Sequence, residues 1–486
     1  MLSLICKPKT NFNFYNLRNF FSKGIKTDFL DYKHRYLPQT GKSRREMLKE
    51  MGLGSINDLF SDIPKKVLID KFDKFDYDKM TEEEVFNTVN NILKKNTDVS
   101  NLPFFLGAGV YKHNVPSTVD YITQRGEFLT AYTPYQPEVS QGTLTAFFEF
   151  QTQVARITGM QVANASMYDG STALGEAVLM ACRSTRRKKV IVGGGVHPHY
   201  VQVIDSMTKF SEKVECQHMP PDLNGTQIEK LIQSVDKTTA CVVVQNPSFF
   251  GHIHDLERLA AACHKHKALL VVGFTEVLSL GAIQSMGEMG ADIAAGEGQS
   301  IGIPMSFGGP HLGLFSTSKK LMRTMPGRLV GETTDLDGKR AFVLTLGARE
   351  QHIRRDKATS NICTSSGICA IAFTVHLTSL GETGFKELAY LNHNKACKLA
   401  EKIVNEIPNI KLINDKFFNE FTIQLPFNYS SQRLTKELLK DGIVAGLPLG
   451  TLYNGKFDDH LLVACTETNT DEDMDKYVSA LKTKLK

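Results

Sequence analysis

Between residues 189 and 315 the chain carries five short runs that are apolar at nearly every position: Lys189-Val190-Ile191-Val192, Ala240–Val244, Ala268–Val272, Ile293-Ala294-Ala295 and His311–Phe315. Runs with no polar alternate predict strands buried on both faces, as in a mainly parallel sheet covered by helices. Apolar residues at helical spacing come before the first run, around 143–158 and from about 171 to 183, and return from about residue 371. Two or three short strands and a closing helix capped at Thr470 then read as a smaller α+β region. Upstream, residues 43–95 read as short helices. Thr81-Glu82-Glu83-Glu84 is a capping-box signal ahead of Val85, Val89, Ile92 and Leu93. Residues 101–142 break the regularity with Pro, Gly and the aromatics Phe104, Phe105, Tyr111, Tyr121, Tyr132 and Tyr135. Such a stretch is either an arm packed on a neighbouring subunit or an active-site loop.

Composition narrows the class. The 486 residues are 42% hydrophobic and 22% charged, without a low-complexity tract. No apolar run approaches the ~18 residues of a membrane span, so no membrane role is expected. Net charge is +5, and residues 1–30 hold Lys7, Lys9, Arg18, Lys23 and Lys26 against Asp28 alone. The remainder is nearly neutral, which argues against a nucleic-acid partner. The basic segment, rich in Ser, Asn and Phe, has the profile of a mitochondrial presequence and predicts a matrix location. The alternative is a disordered basic tail on a cytoplasmic protein. Nine cysteines without a CxxC pair read as free thiols in a reducing compartment. His252/His254 and His264/His266 stand at i,i+2 without further ligands, so no metal site is expected.

Candidate chemistry lies where runs end. Gly107-Ala108-Gly109 and Gly193-Gly194-Gly195 do not open a helix after a strand, so a dinucleotide fold is not indicated. In Asn164–Ala173, small and hydroxyl residues introduce an apolar helix, which serves either to hold a phosphate or simply to cap the helix. Gln245-Asn246-Pro247-Ser248-Phe249-Phe250-Gly251 closes one buried run, and Thr275-Glu276 closes another. In open α/β sheets ligands gather beyond such carboxyl ends. The order of arm, large α/β domain and small C-terminal domain suits a fold-type I pyridoxal-phosphate enzyme. That fold needs a Schiff-base lysine at the end of the strand after the acid. Gly296-Glu297-Gly298-Gln299-Ser300 stands there, and no lysine occurs from Ala268 to Ser318. The run Arg349–Lys357 is either a solvated helix face or an arginine site for a carboxylate or acidic partner.

Several of these stretches, taken together, resemble the glycine cleavage system P-protein family, and most closely the first, alpha, subunit of its two-subunit form. They are Gly126–Gly142, Asn164–Gly170, Gln245–Gly251, Gly296–Gly309, Met325–Glu332 and Arg349–Thr364, and the likeness runs from about Tyr36 to the C-terminus. One departure is Gly273-Phe274-Thr275-Glu276, in place of a stretch that usually carries an aspartate.

The resemblance implies an α/β chain of the fold-type I transferase type, with a large mainly parallel mixed-sheet domain and a small C-terminal α+β domain. The expected divisions are a presequence at 1–30, helical arm and interface loops at 31–142, the large domain at 143–370 and the small domain at 371–486. The family implies an oxidoreductase built as an alpha2beta2 assembly with glycine decarboxylase subunit 2. That beta subunit holds pyridoxal phosphate, and the lipoyl arm of H-protein accepts the aminomethyl group of glycine. In this chain Ser166, Asp169, Ser171, Asn246, Glu276 and Gln299 are expected to form a degenerate cofactor site. Tyr132, Thr133, Tyr135, Gln136 and Glu138 are expected to reach the beta active site across the interface, and His352, Arg354 and Arg355 to lie on the lipoyl path. The competing reading is a non-catalytic subunit that assembles the complex and docks H-protein.

Overall fold

The computed structural model describes residues 41–68, 80–426 and 429–485. The first forty residues, including the basic segment, lie outside that range. Seven strands form the main sheet: β1 (Val162–Ala163), β2 (Lys189–Val192), β3 (Glu215–His218), β4 (Thr239–Gln245), β5 (Leu269–Phe274), β6 (Ile293–Glu297) and β7 (Gly313–Thr317). Their order is β1-β7-β6-β5-β4-β2-β3. β6, β5, β4, β2 and β3 run parallel, and β7 is antiparallel to β6 and to β1. Each of the five apolar runs is a strand, and the direction of β7 makes the sheet mixed.

The strands alternate, but both faces are apolar. Ile191, Val242, Val244, Leu270 and Val272 join one core with Phe147, Phe150 and Phe373. Val190, Val192, Cys241, Val243 and Val271 join a second core with Leu174, Ala177 and Val178 of the helix Gly170–Thr185. That helix is buried along most of its length, with Asp169 as its N-cap. A hairpin of β8 (Leu329–Thr334) and β9 (Arg340–Thr345) follows the main sheet.

The 40-residue helix Gly367–Glu406 is long and apolar enough to cross a membrane by length and composition. Its apolarity has another use. Ala370, Ile371 and Phe373 sit in the large core, and Ala396, Leu399 and Ile403 in the small one. It bends at Gly381, whose φ of +63° favours glycine. Beyond it, β10 (Lys411–Leu412), β11 (Glu420–Gln424), β12 (Leu447–Pro448) and β13 (His460–Ala464) form an antiparallel sheet of order β10-β11-β13-β12. The closing helix Asp471–Lys484 is capped by Thr470 as the sequence predicts. Phe105 enters this small core from far upstream, stacking on Tyr477 at 4.3 Å while its N–H donates to the Val444 carbonyl and its carbonyl accepts from Ala464 N–H.

The described residues from Gly41 to Thr97 belong to a separate unit. Within it the helix Glu82–Leu93 starts on the expected capping box: Thr81 Oγ1 accepts from Glu84 N–H and the Glu84 carboxylate accepts from Thr81 N–H. Val85, Phe86, Val89, Ile92 and Leu93 on this helix are all exposed.

Candidate functional site

The carboxyl ends of β4, β5 and β6 and the N-terminus of the helix Gly170–Thr185 converge on one place. A helix end leaves N–H groups without intrahelical partners, and this makes it an anion site. Here the chain supplies the anions itself. Asp169 accepts from Thr172 N–H at 2.8 Å and from the Ser171 hydroxyl at 2.8 Å. Glu297, at the end of β6, accepts from Gly170 N–H at 2.9 Å, Leu312 N–H at 2.9 Å, and Gly298 and Gln299 N–H at 3.1 Å each. Burial raises the Glu297 carboxyl to about 8, with these N–H groups pulling the other way. A phosphate dianion brought here would meet two carboxyls and no free donor at Gly170.

The slot beside the helix end is also filled. Its walls are the imidazole of His197 and the methyl of Thr275, and between them runs the backbone of Ala108-Gly109. A Cβ on Gly109 would lie 3.6 Å from the His197 ring and 3.7 Å from Thr275 Cγ2. His197 Nε2 is 2.9 Å from the Ala108 carbonyl, and burial lowers the imidazole to about 4, so the neutral ring donates to it. Gln299, in the segment where a lysine is expected, is 2% exposed and clamps the same stretch of chain. Its Oε1 accepts from Tyr111 N–H at 3.0 Å, while Nε2 donates to the carbonyls of Tyr111 and Ile303 at 3.1 and 2.8 Å. The Tyr111 ring is fully enclosed, with its hydroxyl donating to Glu420 at 2.9 Å. The space left among Tyr111, Thr275, Glu276, Phe418 and Glu420 is about 10 Å³, at the threshold for a single water.

Glu276, the candidate for holding a pyridine nitrogen, is already engaged. Its Oε2 lies 3.0 Å from His113 Nε2 and accepts from Asn419 Nδ2 at 3.2 Å. His113 Nδ1 is 2.8 Å from Glu467. Burial disfavours the imidazolium, yet Glu276 and Glu467 outweigh it and hold His113 at about 10. Burial works on Glu467 as well, but pairing with His113 keeps its carboxyl at about 2. Gly273, within the stretch that usually carries an aspartate, faces Leu174 so closely that a Cβ would sit 3.2 Å from its methyl. The residues present do not fit pyridoxal phosphate. The places at which the sequence leads one to expect a phosphate, a pyridine ring and a lysine are each occupied by the chain's own atoms.

The remaining predicted residues fall in two groups. Asn246 is fully buried but spends its amide on the backbone of His254, and Ser166 accepts from Ser366 N–H at 3.0 Å. Outside the pocket, Tyr132, Gln136 and Glu138 are exposed, while the Thr133 hydroxyl is enclosed without a hydrogen-bond partner among the described residues. Tyr135 and His352 come together edge to face at 5.8 Å, joining the two predicted groups into one ridge. Arg354 and Arg355 are exposed at its end.

Sequence reading passed over three charged residues that organise these places. His113 and Glu467 look like ordinary surface residues in sequence, and only the fold shows them enclosed. Arg328, 3% exposed, reaches Tyr135, Thr364 and Glu350. An arginine directly ahead of the buried Leu329-Val330 was the available signal.

The profile of the family described as glycine cleavage system P-protein matches residues 34–481. A relative from Maricaulis maris (strain MCS10), named probable glycine dehydrogenase (decarboxylating) subunit 1, is 51% identical over 449 residues, covering 92% of this chain and 99% of its own. A protein of the same name from Beijerinckia indica subsp. indica is 53% identical over 448 residues, with the same coverage. The crystal structure of a glycine decarboxylase (P-protein) of the glycine cleavage system in inhibitor-bound form superposes with TM-score 0.83 at 40% identity, covering 93% of this chain and all of that one. The cysteine desulfurase of Thermococcus onnurineus NA1, at 15% identity and TM-score 0.59, covers 81% of this chain and 98% of its own and shares the fold alone. The relatives correct one expectation. Maricaulis and Beijerinckia are bacteria and have no mitochondria, so the matrix location is withdrawn in favour of the cytoplasmic alternative.

Two outcomes follow from the filled pocket. Gln299→Lys, incubated with pyridoxal phosphate and reduced with borohydride, is expected to show no label at position 299 by peptide mapping; labelling there would mean the pocket still opens. The second concerns His113. Its folded value lies above the ordinary 6.5, so its contribution is complete below pH 6.5 and is lost as pH rises through 10. The Glu467 value is depressed, so its contribution is present above 4.5 and is lost as pH falls through 2. The two describe one coupled pair. His113→Asn should therefore lower stability by about 3–5 kcal/mol. The gap in melting temperature should be widest between pH 4.5 and 6.5 and shrink on both sides.

Proposed function

Because the chain belongs to the glycine cleavage system P-protein family, we propose that it works as subunit 1 of a glycine dehydrogenase (decarboxylating) whose reaction centre lies on a second subunit. The fold is that of the pyridoxal-phosphate enzymes of fold type I, and the name of the relatives implies a partner chain. One observation carries the division of labour. The segment Gly296–Ser300 stands where the lysine is expected, and its Gln299 is locked to Tyr111 inside a filled pocket. Covalent cofactor chemistry needs an amine, and this pocket offers none.

In this reading the partner beta subunit holds pyridoxal phosphate, which supplies the electron sink for loss of the glycine carboxyl group as carbon dioxide. The aminomethyl group passes to the lipoyl arm of H-protein, whose disulfide is reduced. The assembly is an alpha2beta2 dimer of heterodimers. What this chain adds is the ridge. Tyr132, Thr133, Tyr135 and Gln136 enter the beta active site and orient glycine or cofactor, and Glu138 holds their loop at the start of the helix Pro137–Thr158. Exposed tyrosines are suited to this, because they bring a large rigid surface with a polar tip. His352, Arg354 and Arg355 border the path of the lipoyl arm, where the exposed arginines meet acidic groups of H-protein. Charge reversal at Arg354 and Arg355 that leaves H-protein binding unchanged would remove that part of the reading.

The test is glycine–bicarbonate exchange by this chain alone, by the partner alone and by the two together. Exchange is expected only from the complex, and exchange by this chain alone would overturn the reading. In the complex, Tyr132→Ala or Gln136→Ala should leave assembly intact and lower exchange on the order of 10–100-fold, the scale of a misplaced reacting group. Full activity in both variants would leave the chain a purely assembling role.

A further inference from the structure

Arg328 is a buried cation in the wall behind the exposed ridge. Its guanidinium meets three separate pieces of chain. Nη2 donates to the Tyr135 hydroxyl at 2.7 Å, Nη1 donates to Thr364 Oγ1 at 2.9 Å, and Nε lies 3.5 Å from the Glu350 carboxylate. The Tyr135 ring stands over the guanidinium with 5.1 Å between the charge centre and the ring centroid. Only the planar fork of arginine serves three directions at once. The pieces it joins are anchored in turn. Cys363 N–H donates to the Tyr168 hydroxyl at 2.8 Å and Ser366 N–H to Ser166, which fixes residues 360–366 against the loop that leads into the filled pocket. Arg349 ties the other end of this segment to the carbonyls of Met325 and Gly327, on either side of Pro326.

A buried ion pair is a weak source of stability, since desolvation offsets most of the attraction. Its geometry here has a definite chemical effect. A phenol hydroxyl both donates and accepts. Because the Tyr135 oxygen accepts from Arg328, its own proton is left to point elsewhere. Tyr135 is 53% exposed and its hydroxyl donates to no acceptor among the described residues, which leaves that proton to a partner from outside.

We infer that Arg328 is a positioning residue that turns Tyr135 into an outward hydrogen-bond donor for an anionic oxygen in the active site completed by the partner subunit. The inference rests on the composite site described under Proposed function. The acceptor is a carboxylate or phosphate oxygen, and it has two sources: the carboxylate of glycine or the phosphate of the partner's cofactor. An interaction of a donor with a charged acceptor corresponds to roughly tenfold or more in binding.

The experiment uses the reconstituted complex with Tyr135→Phe, Arg328→Lys and the double variant Arg328→Lys/Tyr135→Phe. Assembly, glycine KM, exchange kcat and retention of pyridoxal phosphate are measured for each. Tyr135→Phe keeps the ring and removes only the hydroxyl, so it remains informative even where an Arg328 variant fails to fold. With glycine as the source, Tyr135→Phe raises KM about tenfold and leaves cofactor retention unchanged; with the phosphate as the source, retention weakens by about that factor. In either case Arg328→Lys shifts the same parameter, and the double variant is no worse than the more affected single one. Unchanged KM, kcat and retention in Tyr135→Phe would overturn the inference, as would fully additive effects in the double variant. Exchange by the partner alone equal to that of the complex would overturn the composite site itself. A complex that needs this chain yet ignores Tyr135→Phe would overturn the Arg328 role alone.

Discussion

A helix that begins inside a protein core brings N–H groups out of water, and something must accept from them. In this fold the demand falls at Gly170–Thr172, facing the carboxyl ends of the central strands. The chain meets it with Glu297, and much else is set by that choice. Glu297 ends β6, so its turn over the helix end fixes where the next residues go. Two positions on, Gln299 faces the upstream arm and takes hold of Tyr111. The arm then has its register: Gly109 lies against His197, Tyr111 against Glu420, and His113 against Glu276 and Glu467.

The cleft that results is rich in carboxyls, and the chain balances them in two ways. Glu276 and Glu467 share one imidazolium, which brings residues from the end of β5, the arm and the small domain to a single point. Among the described residues Glu420 has no such cation, and Glu297 has only the His311 imidazole 3.9 Å away. Burial raises them to about 7 and about 8, so near neutrality protons take the place of ion pairs. Both devices keep uncompensated charge out of the interior, and neither leaves room for a second anion. The two places thus differ in kind. The pocket is closed on itself, while the ridge from Tyr132 to Arg355 keeps its tyrosine and arginine side chains exposed.

The strands and the main helices were legible because their signal is local. Unbroken apolar runs predicted β2, β4, β5, β6 and β7, and the capping boxes at Thr81 and Thr470 marked true helix starts. The missing lysine was legible for the same reason. What filled its place was not, because the contacts join residues far apart in sequence: Gln299 with Tyr111, Glu276 with His113, Glu420 with Ala108. A buried glutamate and a surface glutamate look alike in one sequence. Arg328 was hidden by the same limit, since its three partners come from three segments.

The grip of Gln299 on Tyr111 also bears on how this position can change. A single amide satisfies a backbone N–H and a backbone carbonyl that no water reaches. Any substitution that removes it strands both groups at a cost of about 1–3 kcal/mol each. The amide is thus a structural joint between the end of β6 and the arm, and exchanging it for another group costs stability before it can change any chemistry.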